Sequence, residues 1–335
     1  MTTHPRKTHE IDVTMIDTLP DLTELEAAAA LIRPHVPPTP QYRWPLLEAR
    51  LGTRCTVKHE NHTPVGAFKV RGGIVYLDWL RRTLGEVPGI VTATRGNHGQ
   101  SVGFACARYG VPACVVVPHG NAAEKNAAMR ALGVELVEEG DDFQASVEAA
   151  DAIARARGWH RMPSFHRALV AGVGTYALEL LRAAPDLDRV YVPIGLGSGA
   201  CGMLAAKAAL GHPVEVVGVT SVHAPATARS LASGRLESHA ATTVLADGVA
   251  CRTPVADALA HLAAGLAGVV EVSDDEVADA MRAFVSDTHN LAEGAAAASL
   301  AAAMQQRDAI AGRHVGVIHC GGNVDRLVAA RVLAT

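Results

Sequence analysis

Between residues 89 and 157 short apolar runs alternate with longer stretches in which apolar positions recur every three or four residues. The pattern predicts strands over 89–93, 113–117 and 135–137, and helices over 99–109, 122–132 and 143–157. Such βαβ alternation implies a small parallel sheet covered by helices, so residues 86–163 form an expected inserted α/β domain. Residues 21–85 and 164–335 would then make the larger domain, with 1–20 as a flexible N-terminal arm. Within the larger part, Thr23 and Glu26 have capping-box spacing ahead of the first helix, and Pro34, Pro37, Pro38 and Pro40 end it. A strand over 54–58 and a loop over 60–66 follow. Further on, the pattern predicts a helix over 172–183, a strand over 189–194, a helix reaching Leu210 and a strand over 214–220. Helices over 274–289 and 293–307, a strand over 315–319 and a final helix close the chain. Residues 222–254 are rich in Ala, Ser, Thr and His, have weak periodicity, and receive no element.

Composition narrows the class. Of 335 residues 49% are apolar but only 4% aromatic, so the core must be built from Ala, Val and Leu. A net charge of −4 without a Lys/Arg block leaves no footprint for nucleic acid or an anionic membrane, and points to a small-molecule substrate. Residues 1–19 lack an apolar core and no apolar run approaches about 18 residues, so a cytoplasmic protein is expected. Cys55, Cys106, Cys114, Cys201, Cys251 and Cys320 show neither CxxC nor zinc spacing, which suits reduced, buried thiols.

Four stretches carry candidate chemistry, each at a strand or helix terminus. In Val65-Gly66-Ala67-Phe68-Lys69-Val70-Arg71-Gly72-Gly73 a lysine stands at the start of a helical run, held between Phe68 and glycines. A lysine acts as an amine nucleophile at neutral pH when its surroundings lower its pKa or a carbonyl captures it as an imine. Gly195-Leu196-Gly197-Ser198-Gly199-Ala200 links a strand to a helix and suits a phosphate, but it equally satisfies the spacing of a dinucleotide fingerprint. A nucleotide would ask for Asp or Glu after the next strand, where Thr220-Ser221 stands. Thr94-Arg95-Gly96-Asn97-His98-Gly99-Gln100 and His319-Cys320-Gly321-Gly322-Asn323-Val324-Asp325 complete the set; alone, the first reads as a turn and the second holds a buried cysteine.

Taken in order, these stretches resemble the serine/threonine dehydratase family, the fold-type-II pyridoxal-phosphate enzymes, over roughly residues 30–330. Ala67-Phe68-Lys69-Val70-Arg71-Gly72 is similar to the family's Ser-Phe-Lys-x-Arg-Gly, with Ala67 replacing the serine. The resemblance implies a tryptophan synthase β-like α/β fold, two open domains with pyridoxal 5'-phosphate between them, and Lys69 as cofactor carrier and general base. It implies that Gly195, Leu196, Gly197, Ser198 and Gly199 hold the phosphate, with Phe68 beside the cofactor and Asn97 on its 3'-oxygen. Cys320 would face the pyridine nitrogen, and Thr94, Arg95, Gly96, Asn97 and His98 would meet the substrate. The segments around Asp247-Gly248 and Glu293-Gly294-Ala295 also resemble cofactor-lining segments, while reading equally as helix-capping acids.

Two departures from the family matter. Arg95 stands where the family has Ala or Ser; it either reaches a second acidic group on the substrate or points to solvent. After the strand ending in Val217-Gly218-Val219 the family's metal-binding members carry an acid, whereas Thr220 stands here and no carboxylate follows until Glu237, so no metal site is expected. The implied activity is β-elimination from L-threonine or L-serine to a 2-oxo acid and ammonia, in a homodimer. Alternatives are a dehydratase for 3-hydroxyaspartate or a hydroxyectoine-derived compound and a racemase of the same fold. A non-catalytic binding or regulatory protein built on this fold is a further alternative, and from another enzyme class comes an NAD(P)-dependent dehydrogenase.

Overall fold

The computed structural model describes residues 18–335; the expected N-terminal arm lies, up to residue 17, outside the described residues. The chain enters through β1 (Gln41–Arg43) and β2 (Arg54–His59). It then builds β3 (Ile90–Ala93), β4 (Ala113–Val117), β5 (Glu135–Glu138) and β6 (His160–Arg161), and returns through β7 (Arg189–Pro193), β8 (Glu215–Ser221), β9 (Gly268–Val272) and β10 (His314–His319). The larger sheet has the order β1-β2-β10-β7-β8-β9 and the smaller β5-β4-β3-β6. All neighbours are parallel except β1, which runs antiparallel to β2 at the edge. Valine-rich strands buried on both faces, such as β4 and β10, are what a parallel sheet with helices on each side requires.

Between the sheets lie the helices Lys69–Leu84, Asn97–Tyr109, Arg167–Ala183 and Ser198–Leu210. Glycine permits their close approach: a Cβ on Gly172 would sit 2.4 Å from the Arg71 carbonyl oxygen, and one on Gly73 2.3 Å from Ser101 Oγ. The alanine-rich helix Gly294–Gln305 is buried from Gly294 to Ala303 and packs on β7 and β10. No described helix is long and apolar enough to cross a membrane.

Several boundaries differ from the sequence pattern for local reasons. The first helix is Leu22–Ile32, and its capping box uses Asp21 and Glu24, not Thr23 and Glu26, because the Asp21 carboxylate accepts the Glu24 N–H at 2.9 Å. The helix Arg167–Ala183 starts five residues before 172, where His166 Nδ1 accepts the Ala168 N–H; being buried on nearly every face, it has no polar stripe to mark its start. Helix Pro45–Leu51, to which the pattern assigns no element, begins on a proline, whose missing N–H costs nothing at the first helical position. Residues 222–254 contain the helix Ala226–Ser233 and a short 3-10 turn, Asp247–Val249. Helix Ala256–Gly265 and the strands β1, β6 and β9 leave too short or mixed a pattern to be read.

Candidate active site

Lys69 is delivered by a loop laced to the end of β10. Thr63 Oγ1 both accepts the Ala67 N–H and donates to the Ala67 carbonyl at 2.9 Å, closing the loop on itself. Phe68 donates its N–H to the Cys320 carbonyl at 3.0 Å, and Gly322 to the Gly66 carbonyl at 2.9 Å. Lys69 then opens the helix Lys69–Leu84, and Ser101 Oγ donates to its carbonyl at 2.6 Å. The Nζ stands 4.4 Å from the centre of the Phe68 ring. Burial lowers the lysine's pKa, opposed by the nearby Cys320 and Glu293.

An ion-pair network, buried except at the half-buried Glu179, fixes this helix from below. The Arg71 guanidinium pairs with Glu60 at 2.8 Å and with Glu179 at 2.7 Å, and Lys58 meets Glu179 at 2.6 Å. Glu60 lies at the head of the loop that ends in Lys69, so both flanks of the lysine are tied to one charge cluster.

Across the cleft, β7 ends in the glycine loop. Gly197 has φ 103°, in the left-handed region that favours glycine, and it caps the helix Ser198–Leu210. A Cβ on Gly195 would lie 2.4 Å from the Gly248 carbonyl oxygen, so only glycine fits. Tyr176 donates its hydroxyl to the Gly199 carbonyl at 2.9 Å and meets Phe68 edge-on at 6.1 Å, linking the loop to the lysine's aromatic neighbour. The first amides of such a helix have no partner within it and face the cleft as anion donors.

The smaller sheet contributes the turn after β3. Asn97 donates from Nδ2 to Glu293 Oε1 at 2.7 Å, and its Oδ1 accepts from Asn323 Nδ2 at 2.9 Å. Thr94 Oγ1 accepts the Gly96 N–H at 3.0 Å. His98 is buried, its Nε2 is without a partner, and burial with the nearby Lys69 lowers its pKa to about 3, so it is a neutral ring in the cleft wall. Arg95 is exposed, at the cavity mouth, close to the Asp142 that pairs with Arg252 at 2.9 Å.

Lys69, Asn97, Gly195, Gly199, Glu293 and Cys320 thus border one cavity of about 810 Å³, at the carboxyl ends of strands from both sheets. Burial, reinforced by Glu293, pushes the Cys320 thiol up and keeps it neutral. Burial likewise raises Glu293, whose Oε2 has no partner. The sequence pattern passed over Lys125, from helix Ala123–Ala131, which is buried in the same cavity and paired with Asp247. A single lysine among alanines on a helix carries no distinguishing signal. No His, Cys, Asp or Glu group among the described residues is arranged to hold a metal ion.

Residues 32–321 match the family model described as pyridoxal-phosphate dependent enzyme. The L-threonine ammonia-lyase of Thermotoga maritima is 32% identical over 84% of this chain and 70% of its own length. That of Geobacter sulfurreducens is 35% identical over 82% and 69%. The catabolic L-threonine dehydratase of Escherichia coli is 32% identical over 80% and 82%. Among solved structures, a pyridoxal 5'-phosphate-dependent aspartate racemase has a TM-score of 0.86 at 28% identity, covering 92% of this chain and 97% of its own. The T.th. threonine deaminase has a TM-score of 0.84 at 31% identity, covering 91% and 99%.

Proposed function

The chain belongs to the pyridoxal-phosphate-dependent enzymes, in their serine/threonine dehydratase-like fold-type-II branch, and from that premise we propose that its cleft performs β-elimination on L-threonine or L-serine, with Lys69 as the base. The observation that carries the reading is the pairing of a cleft-facing Lys69 with a glycine loop at a helix N-terminus in one cavity.

The residues present fit the cofactor. The glycine cradle, which a Cβ on Gly195 would fill, suits its phosphate; Lys69 suits its aldehyde, and the neutral Cys320 thiol its ring nitrogen. Bound there, pyridoxal phosphate supplies an electron sink that acidifies the Cα–H of an amino acid joined to it. Lys69 Nζ, whose lowered pKa raises the share of free amine at neutral pH, takes that proton. Asn97, held on both sides by Glu293 and Asn323, keeps a fixed amide at the cleft floor. A neutral partner at the ring nitrogen favours loss of a β-leaving group over a long-lived carbanion. Once the β-hydroxyl has left, the released enamine hydrolyses to a 2-oxo acid and ammonia.

A second reading concerns substrate choice. Arg95 and Arg252 flank Asp142 at the mouth, which supports a substrate with a second acidic group, such as 3-hydroxyaspartate. Assays of 2-oxo acid from serine, threonine and threo-3-hydroxyaspartate, with Lys69→Ala as control, decide between them. Turnover retained in Lys69→Ala would overturn both. The six buried, unpaired cysteines support a cytoplasmic enzyme. A homodimer is carried over from the resemblance and is tested by sedimentation.

A further inference from the structure

Lys125 is the second lysine of the cavity, and the mechanism above leaves it unused. It comes from the smaller sheet's side and ion-pairs with Asp247 from the larger part, so the pair spans the cleft. Its side chain is 8% exposed while that of Asp247 is 32% exposed, which makes the ammonium the deeper partner. An ammonium has three donors, and Asp247 is the one hydrogen-bond partner of Nζ among the described residues. Burying such a charge half-satisfied is costly unless a further acceptor arrives.

The position of that acceptor follows from Gly96. The stem of Lys125 lies along the turn after β3: a Cβ on Gly96 would stand 2.6 Å from Lys125 Cδ. By its resemblance to the dehydratase family, this turn would hold the substrate's carboxylate with its amides and the Thr94 hydroxyl, yet the Gly96 N–H is already given to Thr94 Oγ1 at 3.0 Å. The turn is therefore short of one donor for an anion. Arg95, the other cation of the turn, is exposed at the mouth and does not supply it from within. Nearby Asp247 and Glu293 outweigh the burial that would discharge Lys125, so it remains an ammonium.

We propose that Lys125 binds the substrate's α-carboxylate, with Asp247 as the counterion that it holds while the cleft is free of substrate. This inference rests on the amino-acid reading of the site. It makes Lys125 a substrate-binding residue and Asp247 a competitor for it, a relationship opposite in sign to that of a simple latch between two halves of the cleft.

The test uses the holoenzyme and two amines that lack a leaving group: L-alanine, and ethylamine, which is alanine without its carboxylate. Binding of each is followed by the absorbance change of the bound cofactor. Loss of a hydrogen-bonded buried charge from an anion site weakens binding about 10- to 100-fold. Lys125→Met should therefore weaken L-alanine by about that factor and leave ethylamine unchanged, whereas Asp247→Asn should leave L-alanine as tight or tighter. Unchanged L-alanine binding in Lys125→Met would overturn the proposal. So would equal losses for both amines, reproduced by Asp247→Asn, because that is the behaviour of a latch. If Lys125→Met does not fold, Lys125→Gln is measured by the same criteria. A wild-type protein that responds to neither amine would instead refute the amino-acid reading itself.

Discussion

The backbone N–H of Phe68 donates to the carbonyl of Cys320 at 3.0 Å, joining the residue before the cleft lysine to the residue at the end of β10. Two sites far apart in sequence are thereby set in register by one hydrogen bond, with the Ala67–Gly321 bridge beside it. The distance between lysine and thiol is thus fixed by main chain, which side-chain changes nearby leave in place.

Glycine at 195 is a steric requirement. In Gly195→Ala the new methyl would press on the Gly248 carbonyl, a backbone atom of the turn that carries Asp247. Cofactor affinity should fall at least about tenfold, a cost of about 1.4 kcal/mol, when read by titrating the apoprotein with pyridoxal phosphate. Gly268→Ala, where a Cβ meets nothing within 4 Å, should bind as wild type.

Arg71 is the neutralising centre of its cluster, 1% exposed between Glu60 at 0% and the half-buried Glu179. Arg71→Ala leaves the buried Glu60 without its cation and Glu179 with Lys58 alone, and should cost about 3–5 kcal/mol in urea unfolding. Arg71→Lys keeps the charge but not the forked geometry and should fall between the two. A loss within about 0.5 kcal/mol for Arg71→Ala would show that the cluster does not stabilise the helix of Lys69.

Histidines give the protein an acid limit. His319 has no partner on either ring nitrogen, and burial lowers its pKa to about 3; burial with His62 nearby lowers His59 to about 4. Unfolded, both titrate near about 6.5. Below that pH the unfolded chain binds more protons, so stability present above about 6.5 is lost progressively as pH falls toward 4 and then 3. Urea midpoints at pH 7.5, 6 and 5 should decline in that order, and His319→Phe should flatten the decline. A pH-independent midpoint over this range would contradict the assignment of these two rings as buried and neutral.

Thiol chemistry should be silent in the native state. All six cysteines are buried, and burial raises Cys106 to about 12 and Cys251 to about 11. A chromogenic disulfide reagent at pH 8 should label no thiol within minutes until denaturant is added, and then all six. Rapid labelling of the native protein would show that a cysteine is open to solvent.

Much of this site was legible because its parts are local. Lys69 and the glycines at 195, 197 and 199 each stand at a strand or helix terminus, where backbone conformation restricts the residue type. The α/β class followed from short apolar runs alternating with helical stretches over 89–157, and its fold-type-II form from the resemblance that the ordered motifs carry. What the sequence hid was pairing at a distance. Lys125 with Asp247, Asn97 with Glu293, and Tyr176 with Gly199 are contacts across 122, 196 and 23 positions, made by residue types that serve equally on a surface. Arg95 was visible as a departure, but its exposed place at the mouth depends on the tertiary course of the turn.

Two lysines border the cavity, and only Lys69 is assigned to the cofactor. Borohydride reduction of the purified holoenzyme, followed by mass mapping of its peptides, reads that assignment directly. The predicted result is a pyridoxyl-phosphate adduct on Lys69 and none on Lys125. An adduct on Lys125, or a protein that retains no adduct on either lysine, would contradict it.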